Sequence, residues 1–185
     1  LATSSAASDV YKRQLIANKK VAEVFHEIKT QKHIYRVHDL PDKEKLKSLK
    51  HIVKSFGYNL DLTSSKGISK SLNKLLNEIK GKEEQNLIES LALRSMSKAE
   101  YSTINIGHYG LAFTNYTHFT SPIRRYPDVL VHRLLELIQK KDFGKLDKSL
   151  QKKAIYCSEQ EMVAAKAERD SCLLYTSDAA DDVAS

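Results

Sequence analysis

The residues best equipped for chemistry fall in one run, His118-Phe119-Thr120-Ser121-Pro122-Ile123-Arg124-Arg125-Tyr126-Pro127-Asp128, continued by Val131-His132-Arg133. Ser121 followed by Pro122 is the pattern of a helix start: a serine N-cap, then a proline where a missing N–H costs nothing. At about 100° per residue, Ile123, Leu130, Leu134 and Leu137 would share one stripe of that helix. Arg124, Arg125, Asp128 and His132 would share another, with Ser121 above them. Free N–H groups, the positive end of a helix dipole and two arginines would then stand together. That combination suits an anionic oxygen, and phosphate is the commonest such ligand. The plain alternative is a capped, solvated helix whose arginines pair with Asp128 three and four residues on. Pro127 disturbs both versions. Inside a helix it removes a hydrogen bond and clashes with the carbonyl of Ile123, so the helix is expected to kink there or to start again at Asp128.

Upstream of that run, residues 101–120 mix Ile, Tyr and Phe with Thr, Asn, Gly and His. One or two short strands are expected, feeding the arginine segment. His108, Tyr109, Tyr116, His118 and Phe119 are candidates for stacking on bases, the way single strands are held without sequence preference. The alternative is that half of these are strand-core aromatics, and Phe113 and Phe119 suit that alternative better.

The run just described, with Ile106-Gly107-His108-Tyr109-Gly110-Leu111-Ala112-Phe113 and Tyr116-Thr117 before it, resembles the signature of the ribonuclease R and ribonuclease II family, whose catalytic domain is the RNB domain. The likeness runs in order through both stretches and is far more specific than a short glycine pattern. Residues 15–18, Tyr35-Arg36-Val37-His38, Cys157-Ser158-Glu159 and Ala167-Glu168-Arg169-Asp170 also resemble the family. The resemblance implies a processive 3′-to-5′ exoribonuclease that, with Mg2+, hydrolyses single-stranded RNA to nucleoside 5′-monophosphates. It implies that Arg124 contacts the scissile phosphate and that Glu168 lies near the RNA 3′ end, tuning binding and product release. An i,i+4 partner on a basic helix is the bland alternative for Glu168. Arg125 would be a backbone-phosphate contact or a structural partner of Asp128. Ser121, Thr120, His118, Tyr116 and His108 join it as candidate RNA contacts. In the family the metal-binding aspartates and the clamping aromatics lie upstream, so their ligands are expected to be absent from this chain. The acidic residue that the family carries just before residue 15 would fall at Lys12 or Arg13.

Composition sets wider bounds. The 185 residues are within the size of one domain, and 41% hydrophobic with 29% charged residues suits a modest globular core. Thirty Lys and Arg against 23 Asp and Glu leave a formal charge of +7, which fits a polyanion partner without demanding one. Cys157 and Cys172 form no C-x-x-C pair, so a disulfide framework or zinc site is not expected and a reducing cytoplasm is. No apolar run approaches the ~18 residues of a membrane span. A monomer is expected. There is no G-x-S-x-G, no phosphate-binding glycine loop and no H-E-x-x-H.

The elements that must position the chemistry read as helices. Residues 15–29 form an amphipathic helix with Ile16, Val21, Val24, Phe25 and Ile28. Residues 33–41 form a short extended segment, in which His33 and His38 are better read as loop residues than as ligands. Asp42 caps a helix to about Phe56, stopped by Gly57, with Leu46, Leu49, Ile52 and Val53 inward. Residues 59–66 form a polar loop. Helices follow over 68–79, with Leu72, Leu75, Leu76 and Ile79 as core, and over 83–98, with Leu87, Ile88, Leu91 and Leu93. A last helix covers 146–171. Residues 1–14 and 172–185 differ in character from the rest and resemble adapter sequence, leaving 15–171 as the C-terminal part of the RNB domain. The expected fold is a helix-rich α+β piece, about six helices around a short β segment at 102–120. Two readings follow: a piece of an exoribonuclease, inactive alone for want of metal ligands, or a non-catalytic RNA-binding helical module.

Overall fold

Asp42, Ser64 and Gly57 punctuate the chain as their chemistry requires. In the computed structural model of the protein, which describes residues 2–28, 33–142 and 149–183, the Asp42 carboxylate accepts from the Glu44 and Lys45 N–H groups at 2.9 and 3.1 Å and opens helix α2 (Lys43–Ser55). Those donors, Lys45's foremost, hold its carboxyl below the usual aspartate range. α2 closes at Phe56, and Gly57 follows at φ +85°, a left-handed turn that glycine makes without a Cβ penalty. Ser64 caps α3 (Ser65–Glu78) through the Gly67 N–H at 3.0 Å. α4 is Gln85–Ser95.

These three helices belong to one compact unit, His38–Ala99. Its core is Leu46, Leu49, Val53, Leu60, Leu72, Leu75, Ile79, Ile88 and Ala92. Two expectations need correcting. The loop before α3 is not wholly polar, because Leu60 is fully buried. α4 is shorter than 83–98 and turns another face inward: Ile88, Ala92 and Ser95 are buried, while Leu87 and Leu93 are exposed. Ser95 is tolerated there because its hydroxyl donates to the Ala92 carbonyl at 2.6 Å.

The second unit is built from the chain up to Val37 and from Glu100 onward. Helix α1 (Ala2–Glu27) buries Asn18, Ala22 and Phe25 and leaves Ile16 and Val24 exposed. It starts well before residue 15, and Lys29, where the expected helix ended, lies outside the described residues. Phe25 stacks on His33, whose ring lies 3.8 Å from that of Tyr35. Strand β1 (Tyr35–His38) pairs with β2 (Ala99–Ser102). Helices α5 (Tyr126–Gln139) and α6 (Leu150–Val183) complete the core with Leu130, Val131, Leu134, Leu150, Ala154 and Cys157 around Phe25, Ile34 and Tyr101. Residues 146–148, where α6 was expected to begin, lie outside the described residues.

The architecture is helix-rich α+β, with six α-helices among the described residues. The β segment sits earlier than 102–120. Past Ser102 the chain makes a single 3-10 turn, Tyr109–Leu111, and one isolated bridge, His108 to Phe113. Side chains take the place of a ladder there. Asn105 accepts from the Gly107 N–H at 2.9 Å and donates to the Thr114 carbonyl and the Asn115 side chain. Gly107 stands at φ +80°, and a Cβ on it would lie 3.2 Å from the Phe113 oxygen. Among the described residues no helix is long and apolar enough to cross a membrane.

Leu75, 1% exposed on α3, tests the His38–Ala99 core. Leu75→Ala is expected to cost about 2–5 kcal/mol of unfolding free energy in a urea titration, and Leu93→Ala, on the exposed face of α4, within about 0.5 kcal/mol of nothing.

Candidate nucleic-acid interface

A fully buried carboxylate organises the arginine segment. Asp128 Oδ1 accepts from the Ser121 N–H and from Arg125 Nη2, both at 2.8 Å, and Oδ2 accepts from Arg125 Nε at 2.9 Å. The Ser121 carbonyl in turn accepts from the Arg124 and Arg125 N–H groups at 3.3 and 3.1 Å. Residues 121–125 are therefore a turn, and α5 starts at Tyr126 with Arg125 as its cap residue. The expected start at Ser121 is corrected. Pro127 supplies the reason: in the first turn of a helix starting at Tyr126 it needs no hydrogen bond, whereas in a helix starting at Ser121 it would break one. Ile123 leaves the apolar stripe and is 98% exposed, while Leu130 and Leu134 keep their places in the core. The arginines divide. Arg125 pairs with Asp128 in a two-pronged fork, and Arg124 is exposed, with no ion pair or side-chain hydrogen bond among the described residues.

The strand-like approach to this turn is anchored from below. Asn18 of α1, 4% exposed, accepts at Oδ1 from the Phe119 and Thr120 N–H groups at 3.0 and 3.2 Å and donates from Nδ2 to the Tyr116 hydroxyl at 3.1 Å. Thr117 donates its hydroxyl to the Ile34 carbonyl at 2.6 Å, and the Arg36 N–H donates to the Tyr116 carbonyl at 2.9 Å. His132 stacks on Phe119, ring centres 4.1 Å apart, and donates to its carbonyl.

The candidate contacts therefore differ in what they can offer. Tyr116 is buried, its ring among those of His108, Phe113 and His118, which gives it a packing role rather than a free stacking face. Burial raises its hydroxyl above the usual tyrosine range. His108 accepts at Nδ1 from the Leu111 N–H and so caps the 3-10 turn. His118 and Tyr101 share a hydrogen bond at 2.8 Å between Nδ1 and the phenol. Burial first, then the charges of Arg125, Arg36, His108 and Arg124, lower His118 from 6.5 to about 3. The ring is thus neutral at pH 7. Thr120 and Ser121 are half-buried.

A pocket of about 410 Å³ opens beside the turn, lined by Tyr101, Arg124, Tyr126, Tyr156 and Glu161 among others. Glu168 is exposed on α6, two turns beyond Glu161 on the same stripe and outside the pocket lining. Asn18 and Arg36 lie in family-like stretches that give them no role, and neither they nor Tyr101 and Glu161 are among the site residues that motif reading names. A polar Asn18 spaced four and seven residues before the buried Ala22 and Phe25 was the available signal. Among the described residues, no group of three or more His, Cys, Asp or Glu could hold a metal ion.

The family model described as the RNB domain matches residues 4–141. Over 161 residues the chain is 44% identical to ribonuclease R of Thermotoga maritima, covering 83% of this chain and 22% of that protein. The structure of Mycoplasma genitalium RNase R in complex with ribose methylated single-stranded RNA is similar at a TM-score of 0.74 and 33% identity, over 87% of this chain and 26% of that one. Yeast Ssd1, described as a pseudonuclease, is similar at a TM-score of 0.68 and 29% identity, over 80% of this chain and 19% of that one. The chain spans about a fifth of the length of the curated relatives it matches.

Removing Asp128 leaves the Arg125 fork and the Ser121 N–H without their acceptor, so Asp128→Ala is expected to lower unfolding free energy by about 3–5 kcal/mol in a denaturant titration. His118 gives a pH signature. Its folded pKa of about 3 lies below the unfolded 6.5, so between those values the unfolded chain binds the extra proton and stability falls as pH falls. Urea midpoints at pH 7 and pH 5 are expected to differ less in His118→Gln than in the unaltered protein, the slope from this one group being at most about 1.4 kcal/mol per pH unit.

Proposed function

The chain belongs to the RNB domain family, and from that premise we propose that it is the arginine-bearing part of a processive 3′-to-5′ exoribonuclease that degrades single-stranded RNA to nucleoside 5′-monophosphates. The observation that carries the proposal is the contrast between the two arginines. Arg125 is spent on structure, held by the buried Asp128. Arg124, the next residue along, is delivered to the surface by that same turn with its guanidinium unclaimed among the described residues. A fork fixed at its backbone and free at its head is suited to a phosphodiester oxygen whose negative charge grows in the transition state. The cationic side chains of Arg125, Arg36 and Arg124 around His118, which add to the effect of its burial, favour the same ligand. Glu168, exposed on α6, is the residue this reading assigns to the RNA 3′ end.

Mg2+ belongs to this reading of the whole protein. The donor set among the described residues does not fit such an ion, so its ligands would come from outside this chain and the isolated chain would be inactive. The same donor set favours one further reading for the chain by itself, an RNA-binding helical module without chemistry. The likeness to a protein described as a pseudonuclease supports that this fold is compatible with it. A monomer working in the cytoplasm completes the proposal, in keeping with two cysteines, Cys157 and Cys172, that form no C-x-x-C pair.

The test separates chemistry from binding. In the whole protein, Arg124→Ala is expected to lower turnover of single-stranded RNA by about 10²–10³-fold while changing RNA affinity far less. An unchanged rate would remove the transition-state role of Arg124. Equal losses in rate and affinity would make it a binding residue only.

A further inference from the structure

Arg36 belongs to the unit that carries the arginine turn, and its side chain joins a helix to an aromatic ring. It lies on β1 with its side chain 12% exposed. Its two terminal nitrogens meet Glu161 of α6 in parallel, Nη1 to Oε2 at 2.6 Å and Nη2 to Oε1 at 3.1 Å. Its guanidinium lies 4.5 Å from the centre of the Tyr101 ring. The Tyr101 backbone N–H donates to Ser158 of α6 at 2.8 Å, one turn before Glu161, and its hydroxyl bonds His118. The Arg36 backbone N–H holds the Tyr116 carbonyl. One residue thus ties α6 to the segment that leads into the arginine turn.

Stability is a poor account of this pair. Glu161 is 45% exposed, and an ion pair that wet adds little to folding. Its geometry is more informative. A two-pronged guanidinium–carboxylate contact fixes direction as well as distance, and the aromatic ring beneath it removes the remaining freedom of the guanidinium plane. Together with the buried Leu150, Ala154 and Cys157, it constrains the rotation and the axial position of α6. Glu168 follows Glu161 by seven residues, on the same helix stripe and about 10 Å further along the axis. The position of Glu168 relative to Arg124 therefore depends on a contact at neither residue.

We propose that Arg36 is a positioning residue: through its forked pair with Glu161 on the Tyr101 ring, it sets the register of α6 and so places Glu168 at the RNA 3′ end. The proposal rests on the reading of Glu168 as a contact to that end. It assigns Arg36 no contact with RNA.

The experiment is a double-mutant cycle in the whole protein, with single-stranded RNA, following RNA affinity and product release together with thermal unfolding. Arg36→Lys keeps the charge but cannot make the fork, and Glu161→Gln removes the charge from the other side. Each is expected to unfold cooperatively and to shift affinity or release about fivefold or more in the same direction as Glu168→Ala, a shift that vanishes when Glu168 is already Ala. A merely structural pair would move the unfolding temperature without that epistasis. Effects of Arg36→Lys and Glu168→Ala that simply multiply, or a folded Glu161→Gln with unaltered affinity and release, would overturn the positioning role while leaving Glu168 in place. A silent Glu168→Ala would overturn both that role and the reading it rests on.

Discussion

A carboxylate with no access to water has to find donors within the protein, and at Asp128 that requirement shapes the whole site. Its oxygens take a backbone N–H from Ser121 and a fork from Arg125. The turn between those residues cannot open without exposing an unpaired buried charge, a costly alternative. Because Arg125 is needed to neutralise Asp128, its neighbour is displaced outward. The exposure of Arg124 is thus a consequence of backbone geometry: consecutive side chains in a tight turn cannot both reach the same buried acceptor. One arginine is sacrificed to hold the other in a defined place, which is how a flexible cation acquires a fixed address at low entropic cost.

Support for that turn comes from three elements far apart in the chain. Asn18 on α1 caps the Phe119 and Thr120 N–H groups, Ile34 just before β1 contributes its carbonyl and Arg36 on β1 its N–H, and α5 returns His132 to the Phe119 ring. Most of these contacts span some eighty residues or more of chain, and the His38–Ala99 unit lies between their two ends in sequence. Such contacts close large loops, so they form only when both flanks are folded. The irregular stretch from Ser102 to Thr120 can do without a sheet because side-chain amides and imidazoles satisfy its backbone locally.

The local rules were legible wherever one residue decides one boundary. Asp42 before α2 and Gly57 after it, and the Leu46, Leu49 and Val53 stripe, stand as their spacing indicates. Rules that compete were not. Ser121-Pro122 is a sound helix start by itself, and it loses to Pro127, which can occupy a first turn and not a second. The apolar residues of α4 permit more than one inward face, and the choice of Ile88 and Ala92 over Leu87 and Leu93 is made by neighbours that periodicity does not contain. Tyr116 has the composition of a stacking platform and becomes a buried post, because Asn18, nearly a hundred residues earlier, needs its hydroxyl. Family likeness singled out the arginine segment and named Glu168. It was silent about the network of Arg36, Tyr101, His118 and Glu161, since a motif names residues without saying which of them touch.

That network bears on how charge is managed here. Arg36, Arg124 and Arg125 crowd one region, and like charges at short range repel. Two of the three are neutralised by dedicated carboxylates, Glu161 and Asp128, and the histidine among them is held neutral by burial and by the same cations. Three unpaired guanidinium groups at close range would repel one another. Among the described residues Arg124 is the member of the three without an ion pair, and it ends the turn that Asp128 holds. The two acidic partners differ in exposure: Asp128 is sealed and takes a backbone N–H besides its arginine, whereas Glu161 is half open on α6 and takes only the Arg36 fork among the described residues.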